Sequence, residues 1–383
     1  RTCAIAASYE AKAYGVKTGT KIYDARRMCP DLNCVLARHD VYVDYHHRII
    51  EETVKHTPIH KIWSIDELAS RLPPNKRNPE SAKDVAMRIK EGIWKNIGEA
   101  INCSIGVAPN SLLAKIATDM QKPDGLVILR QEDLPGPLLQ LKLTDIPGIG
   151  MNMEKRLHRA GIGSMQQLWD TSPKQARKIW GGVQGERFWY WLHGYDFEPP
   201  ETNNVMIGHS RMLDPDLRSP AKARLMARRL LTKATYRLRK KGYYARTLSL
   251  GVRTLEGMRW REELSFPPLQ DPFTVMEHLE TLWTHMMCEL MPHSHTKRFL
   301  KVSVIFHGLC KKDEITGDLF YTKGQNDLKT VQKNEALAGA LDQLQQKYQK
   351  ETVSVGLQPK TLAGHVGTKI AFSRVPDQEE FWS

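Results

Sequence analysis

From Ile101 to Gly125 a strand pattern, a helix start and a helix stop follow one another without interruption. Ile101 to Val107 reads as a strand, Asn110 to Met120 as a helix, and Pro123-Asp124-Gly125 as its stop. A strand that feeds straight into a helix commits this region to an α+β layer, with helices on one face of a sheet. The residues before it repeat the alternation. Asp44 to His56 has helical spacing, with Tyr45, Ile49, Ile50 and Val54 on one side. Lys61 to Leu68 reads as a strand, and Ser81 to Ile97 as an amphipathic helix with Val85, Ile89 and Ile93 at intervals of four. Cys3 to Ala7 reads as a strand already under way, and Arg1 is not an initiator methionine, so a preceding piece is expected.

The pattern then changes. Leu134 to Asp196 is helical with short loops, and Phe197 to Asn204 is a polar, proline-bearing linker. A new unit follows. Ser219 and Pro220 occupy N-cap and first-turn positions, and Gly242 a C-terminal position, around a helix. Its buried side carries Ala223, Ala227, Leu230, Ala234 and Leu238; its outer side carries Arg224, Arg228, Arg229, Lys233 and Arg237. Leu248, Leu250 and Val252 alternate with Thr247, Ser249 and Arg253, and Leu300, Val302, Val304 and Phe306 with Lys301 and Ser303. Such strands put one face on a core and one on solvent or a ligand. Arg246 falls in the opposite register. From about Lys311 the chain is polar, and Gln-rich between Gln343 and Gln349.

Charge narrows the function. The 383 residues carry a formal net charge of +13, an excess that favours a polyanionic partner. The six cysteines form no CxxC pair, which argues against a zinc site or a disulfide framework and fits a reducing cytoplasm. No run of about 18 apolar residues is present to span a membrane, and no secretory leader is visible.

Ser64-Ile65-Asp66-Glu67 offers two adjacent acids, and the block ending in Lys122 offers ammonium groups. Acids that hold divalent metal and lysines that hold polyphosphate are what nucleotidyl transfer needs. Neighbours on a strand point to opposite faces, so Asp66 and Glu67 can serve one metal site only near a bulge or strand end. A solvated acidic pair at a hairpin fits the same residues. Lys122 can reach a triphosphate, or simply sit at a helix C-terminus where the dipole favours it. Tyr9 and Lys12 are further candidate phosphate contacts. Asp145 to Gly150, with Leu157 and His158, reads as a helix-hairpin-helix in which Gly148 and Gly150 let backbone N–H groups approach a DNA phosphate. Glu154 stands where such hairpins usually carry alanine.

These blocks, in this order, resemble the Y-family translesion DNA polymerases, and within them the ImpB/MucB/SamB group, relatives of DinB and UmuC. The likeness runs through Ser8 to Lys12, Ala25 to Pro30, Ser64 to Glu67, Ser104 to Gly125, the hairpin at Pro147, Gly208-His209-Ser210 and Ile370 to Pro376. It implies small fingers at 1–37, a palm with a ferredoxin-like sheet at 38–129, and a helical thumb at 130–200. A linker at 201–206, an α+β little finger at 207–310 and a tail at 311–383 complete it.

It implies that Asp66 and Glu67 are catalytic and hold two Mg2+ ions (Mn2+ also serving), and that Tyr9, Lys12 and Lys122 bind the dNTP triphosphate. Primer-template DNA would lie on Gly148, Gly150, Arg253 and Lys301. The family's first metal-binding aspartate belongs to a strand before Arg1. Low-fidelity synthesis in an SOS-type repair response is the implied activity. A non-catalytic polymerase-like accessory and a nuclease are the competing readings. Asp318-Leu319-Phe320 is a partial match to a sliding-clamp peptide, with Thr316 at the usual glutamine position.

Overall fold

The computed structural model describes residues 3–198, 205–315 and 328–348, with Val353, Gly356 and Val375. The described residues form two compact units: 3–38 together with 205–315, 328–348, Val353 and Gly356 in the first, and 39–198 with Val375 in the second.

Residues 3–38 hold two short helices, α1 (Tyr9–Ala13) and α2 (Ile22–Met28). Ser8 caps α1 by accepting from Ala11 N at 3.3 Å. Ala11, Val16 and Ala25 form a small core, with Ala7, Cys29 and Leu32 against it. The strand expected at Cys3–Ala7 is only an isolated bridge, Cys3 to Lys21. No described strand lies beside this segment to extend a ladder.

In the second unit α3 (His39–Val54) leads into β1 (Ile59–Ile62) and β2 (Leu68–Ser70), which pair antiparallel. The expected continuous strand from Lys61 to Leu68 is therefore two strands and a turn. Then come α4 (Pro79–Asn96), β3 (Ile105–Val107), α5 (Ser111–Met120) and β4 (Leu126–Ile128), with β3 and β4 parallel. Helix α4 starts where Asn78 accepts from Ser81 N at 2.9 Å and Pro79 takes the first turn. Its stripe Val85, Ile89 and Ile93 is buried, with Tyr45 and Ile49 of α3 packed against it. Val54, expected on the apolar side of α3 with Tyr45 and Ile49, is 55% exposed, because α3 meets the α4 stripe through its earlier turns.

Strands β1 to β4 of this α+β layer form two pairs, β1 with β2 and β3 with β4. Strands of three or four residues make short ladders, and the α3–α4 contact, not a broad sheet, carries the burial here.

Four helices follow: α6 (Met151–Arg159), α7 (Met165–Trp169), α8 (Pro173–Trp180) and α9 (Val183–Leu192). Leu138, Leu143, Leu157, Met165 and Leu192 share one core with Leu113, Ile116 and Ala117 of α5. The helical region is thus anchored on the helix that carries the lysine block. Asn110 reinforces this join. Its Oδ1 accepts from Leu113 N at 3.0 Å to cap α5, and its Nδ2 donates to the carbonyls of Trp191 (2.7 Å) and Tyr195 (3.0 Å).

From residue 205 the order is β5 (Met206–Met212), α10 (Pro220–Lys240), β6 (Tyr243–Thr254), β7 (Arg259–Leu269), α11 (Pro272–Leu290), β8 (Phe299–His307) and β9 (Cys310–Lys311). The sheet order is β5-β8-β6-β7, all antiparallel, with β9 paired to β6. Leu248, Leu250 and Val252 pair in register with Phe306, Val304 and Val302, and all six are buried under α10 and α11. This domain is the expected α+β unit.

The tail adds an element the sequence pattern did not show. Helix α12 (Leu328–Tyr348) packs on α11 and buries Ala338. Arg239 of α10 makes a two-pronged contact with Asp342 of α12 at 2.7 and 2.8 Å.

Candidate active site

The acids sit where the β1–β2 ladder ends. The Trp63 and Ser64 N–H groups both donate to the Glu67 carbonyl, at 2.9 and 3.1 Å, which folds Ser64 to Asp66 into a tight turn. Strand alternation stops there, so both carboxylates escape the two-face constraint. Asp66 is exposed; its Oδ1 accepts from Ser64 Oγ at 2.6 Å, and among the described residues its second oxygen has no partner.

His46 of α3, only 5% exposed, donates from Nδ1 to the Ile65 carbonyl at 2.7 Å and ties the turn to the helix. Sequence reasoning missed this residue, since one histidine on an amphipathic helix carries no signal. Burial pushes the His46 imidazole below its ordinary value of 6.5, with His47 adding to this and the Ile65 bond and Asp66 opposing it. The unfolded chain then binds more protons than the folded one below that value. Stability attached to His46 is present above about pH 6.5 and declines as pH falls toward the lowered folded value. NMR titration of His46 is expected to give a midpoint below 6.5. A midpoint above it would mean the ring is charged in the fold.

Lysines gather beside the acids. Lys115 of α5 lies 2.6 Å from Glu67 and 3.2 Å from Asp119, and Lys122 lies 2.5 Å from Asp119. Gly106 lets α5 lie flush on β3, since a Cβ there would press into the Ala114 carbonyl oxygen and sit 2.5 Å from Thr118 N. The turn behind Lys122 is held from below. The Lys90 ammonium, 13% exposed, donates to the carbonyls of Cys103 and Asp124 at 2.7 Å each and to Asp124 Oδ1 at 2.6 Å. That contact draws the Asp124 carboxyl below its ordinary range and fixes the residue at φ +56°.

The donor set suits a hard divalent cation, because exposed carboxylate oxygens are the ligands magnesium prefers. It is short of a complete site. Among the described residues no group of three or more His, Cys, Asp or Glu side chains could hold a metal, and Glu67 is engaged by Lys115. Asp66 and Glu67 fit as part of a ligand set.

The hairpin stands in the same unit. Ile146 and Ile149 are buried, while Gly148 turns at φ +91° and Gly150 opens α6 with no side-chain cap. A Cβ on either glycine would meet nothing within 4 Å, so their outer side is open. Thr144 to Gly150 line a cleft together with Lys115 and Asp119.

The remaining candidates lie in the other unit. Tyr9 is half exposed, and the Lys12 ammonium sits 4.2 Å from its ring centroid, a cation–π contact. Arg253 of β6 is directly opposite Lys301 of β8 on one side and Arg259 of β7 on the other, which makes a transverse basic row on the outer sheet face. Ser249, expected on that face as a free polar group, is 1% exposed because Arg261 Nε covers it at 2.9 Å. Arg246, excluded by its register, is exposed, since the β6–β7 pairing slips between Ala245 and Thr247. Asp318-Leu319-Phe320 and Thr316 lie outside the described residues. Among the described residues no helix is long and apolar enough to cross a membrane.

Residues 1–119 match the impB/mucB/samB family, residues 205–319 its C-terminal domain, and residues 144–196 the thumb domain of DNA polymerase-iota. A curated relative, DNA polymerase IV of Moorella thermoacetica, is 30% identical over 91% of this chain and 84% of its own length. DNA polymerase IV of Pelotomaculum thermopropionicum is 33% identical over 65% of this chain and 62% of its length. Among solved structures, a Y-family DNA polymerase chimera of Dbh and Dpo4 shares the fold, with a TM-score of 0.63 and 23% identity over 79% of this chain and 86% of that one.

Proposed function

The chain belongs to the impB/mucB/samB family, and from that membership we propose that it is a Y-family DNA polymerase that performs template-directed, low-fidelity synthesis past damaged bases. The relatives it matches are named DNA polymerase IV. One observation carries the site reading. The 2.6 Å contact between Glu67 and Lys115 brings the acid turn and the lysine block, far apart in sequence, to one place.

In this reading Asp66 and Glu67 hold divalent magnesium, or manganese, which when bound supplies charge neutralisation and an acidified primer hydroxyl. Lys122 grips the dNTP triphosphate as a point charge, and Tyr9 and Lys12 serve the same end. Lysine at position 12 lacks the bidentate fork of arginine, so its grip is single-pronged. The N–H groups at Gly148 and Gly150 take a DNA phosphate and set position without reading sequence. Residues 1–37 act as fingers, 38–129 as palm, 130–200 as thumb and 207–310 as little finger. The protein acts in the cytoplasm in an SOS-type response, and Asp318-Leu319-Phe320 recruits it to a sliding clamp.

Primer extension by the full-length protein, with and without a substitution at Asp66, tests the reading. DNA binding without extension by either form would favour the accessory alternative. Little-finger contacts are tested separately. Arg253→Gln and Lys301→Gln are each expected to weaken DNA binding about equally across sequences and to flatten the salt slope by about one unit per lost phosphate contact. An unchanged slope would remove these residues from the interface.

A further inference from the structure

Four side chains along one line alternate in charge: Glu67, Lys115, Asp119 and Lys122, with successive separations of 2.6, 3.2 and 2.5 Å. Lys115 and Asp119 are four apart and share a face of α5; Lys122 follows three residues on. Each group is about one third to two fifths exposed: 31% for Lys115, 34% for Asp119, 41% for Glu67 and 43% for Lys122. Both ends belong to the machinery proposed above, and the two middle members have no role in it.

The geometry points to a relay in which Lys115 and Asp119 couple nucleotide arrival at Lys122 to release of the Glu67 carboxylate. This inference rests on the polymerase reading and assigns its regulation. Without nucleotide, the Lys122 ammonium is committed to Asp119 and the Lys115 ammonium is divided between Asp119 and Glu67. A triphosphate carries more negative charge than one carboxylate and draws Lys122 away. Asp119 is then left with Lys115 alone and competes harder for it, and the hold on Glu67 weakens. The acid becomes free to take a cation when a substrate is in place. Partly exposed ion pairs are individually weak, so a network of this kind can be rearranged by a bound polyanion. Coupling of two sites through shared partners must also act in both directions. Lys115 and Asp119 are positioning residues in this scheme, since neither touches substrate.

Calorimetric titration of nucleotide onto the full-length protein with primed template, in Ca2+ to hold back chemistry, separates the possibilities. Asp119→Asn frees Lys122 and leaves Lys115 on Glu67 alone. Nucleotide affinity should rise about 3- to 10-fold while kcat for primer extension falls by a similar factor. A purely structural role would not move the two in opposite directions. Lys115→Met leaves Asp119 to hold Lys122 alone and should weaken nucleotide binding about 3- to 10-fold, with Lys115→Arg restoring it. Because these side chains are partly exposed, thermal melting of each variant is expected to stay close to the unsubstituted protein. Affinity unchanged within about twofold in both Asp119→Asn and Lys115→Met would overturn the relay and leave the polymerase reading intact. Failure of the unsubstituted protein to bind nucleotide at all would overturn both.

Discussion

Asp66→Asn in the full-length protein is expected to lower primer extension by roughly 10²- to 10³-fold, the usual loss when one preorganised electrostatic contact to a transition state is removed. Binding to primed template should stay within about twofold, because the phosphate contacts that dominate affinity lie elsewhere. The substitution keeps the shape of the side chain. Its carbonyl oxygen can still accept from Ser64 Oγ, the 2.6 Å bond that shapes the turn. The ties of Trp63, Ser64 and His46 to the backbone of the turn are untouched. Only the negative charge goes, so a large loss of extension reports charge and not folding. Extension at the unsubstituted rate would remove Asp66 from the chemistry.

Gly106→Ala is expected to destabilise the 39–198 unit by about 3 kcal/mol, the upper end of the usual range for overpacking. The new Cβ meets main-chain atoms of α5, the Ala114 carbonyl oxygen and Thr118 N, which cannot swing aside as a side-chain tip can. Helix α5 must therefore move. It is also the element whose Leu113, Ile116 and Ala117 complete the core with α6 to α9. A shift there loosens the core shared with α6 to α9 and displaces Lys115 from Glu67 together. Urea unfolding followed by tryptophan fluorescence measures the loss, since Trp169 and Trp180 pack against that core. Stability within about 0.5 kcal/mol of the unsubstituted protein would show that β3 and α5 are less closely packed than described.

Local signals made much of this fold legible. The helix from Ser111 could be read because Asn110 is a good cap and its apolar residues recur at helical spacing. The alternation of Leu248, Leu250 and Val252 gave the correct buried face, because a strand half-covered by helices has to alternate. The break inside Lys61–Leu68 was legible only as a condition, since Asp66 and Glu67 can share a site only at a bulge, strand end or hairpin. It depends on one carbonyl, that of Glu67, accepting two N–H groups, and no apolar pattern encodes that. The exposure of Arg246 was hidden for a similar reason, since a pairing slip next to Pro267 and Pro268 is a property of two strands at once.

Partnership between distant residues was the least visible layer. Lys115 lies within the span from Ser104 to Gly125, but its contact with Glu67 exists only once α5 lies on β3. His46 depends on a carbonyl in a turn that the sequence pattern did not show. Helix α12 read as a polar tail because the Arg239–Asp342 contact joins positions 103 residues apart.

The central claim is that the carboxylate at position 66 is a ligand of the cation that serves nucleotide transfer. A crystal structure of the full-length protein with primed template, an incoming nucleotide and magnesium tests it directly. The expected result places an Asp66 carboxylate oxygen at coordination distance from a magnesium ion, about 2.1 Å. An ordered nucleotide and ion with that oxygen beyond hydrogen-bonding reach of both would contradict it.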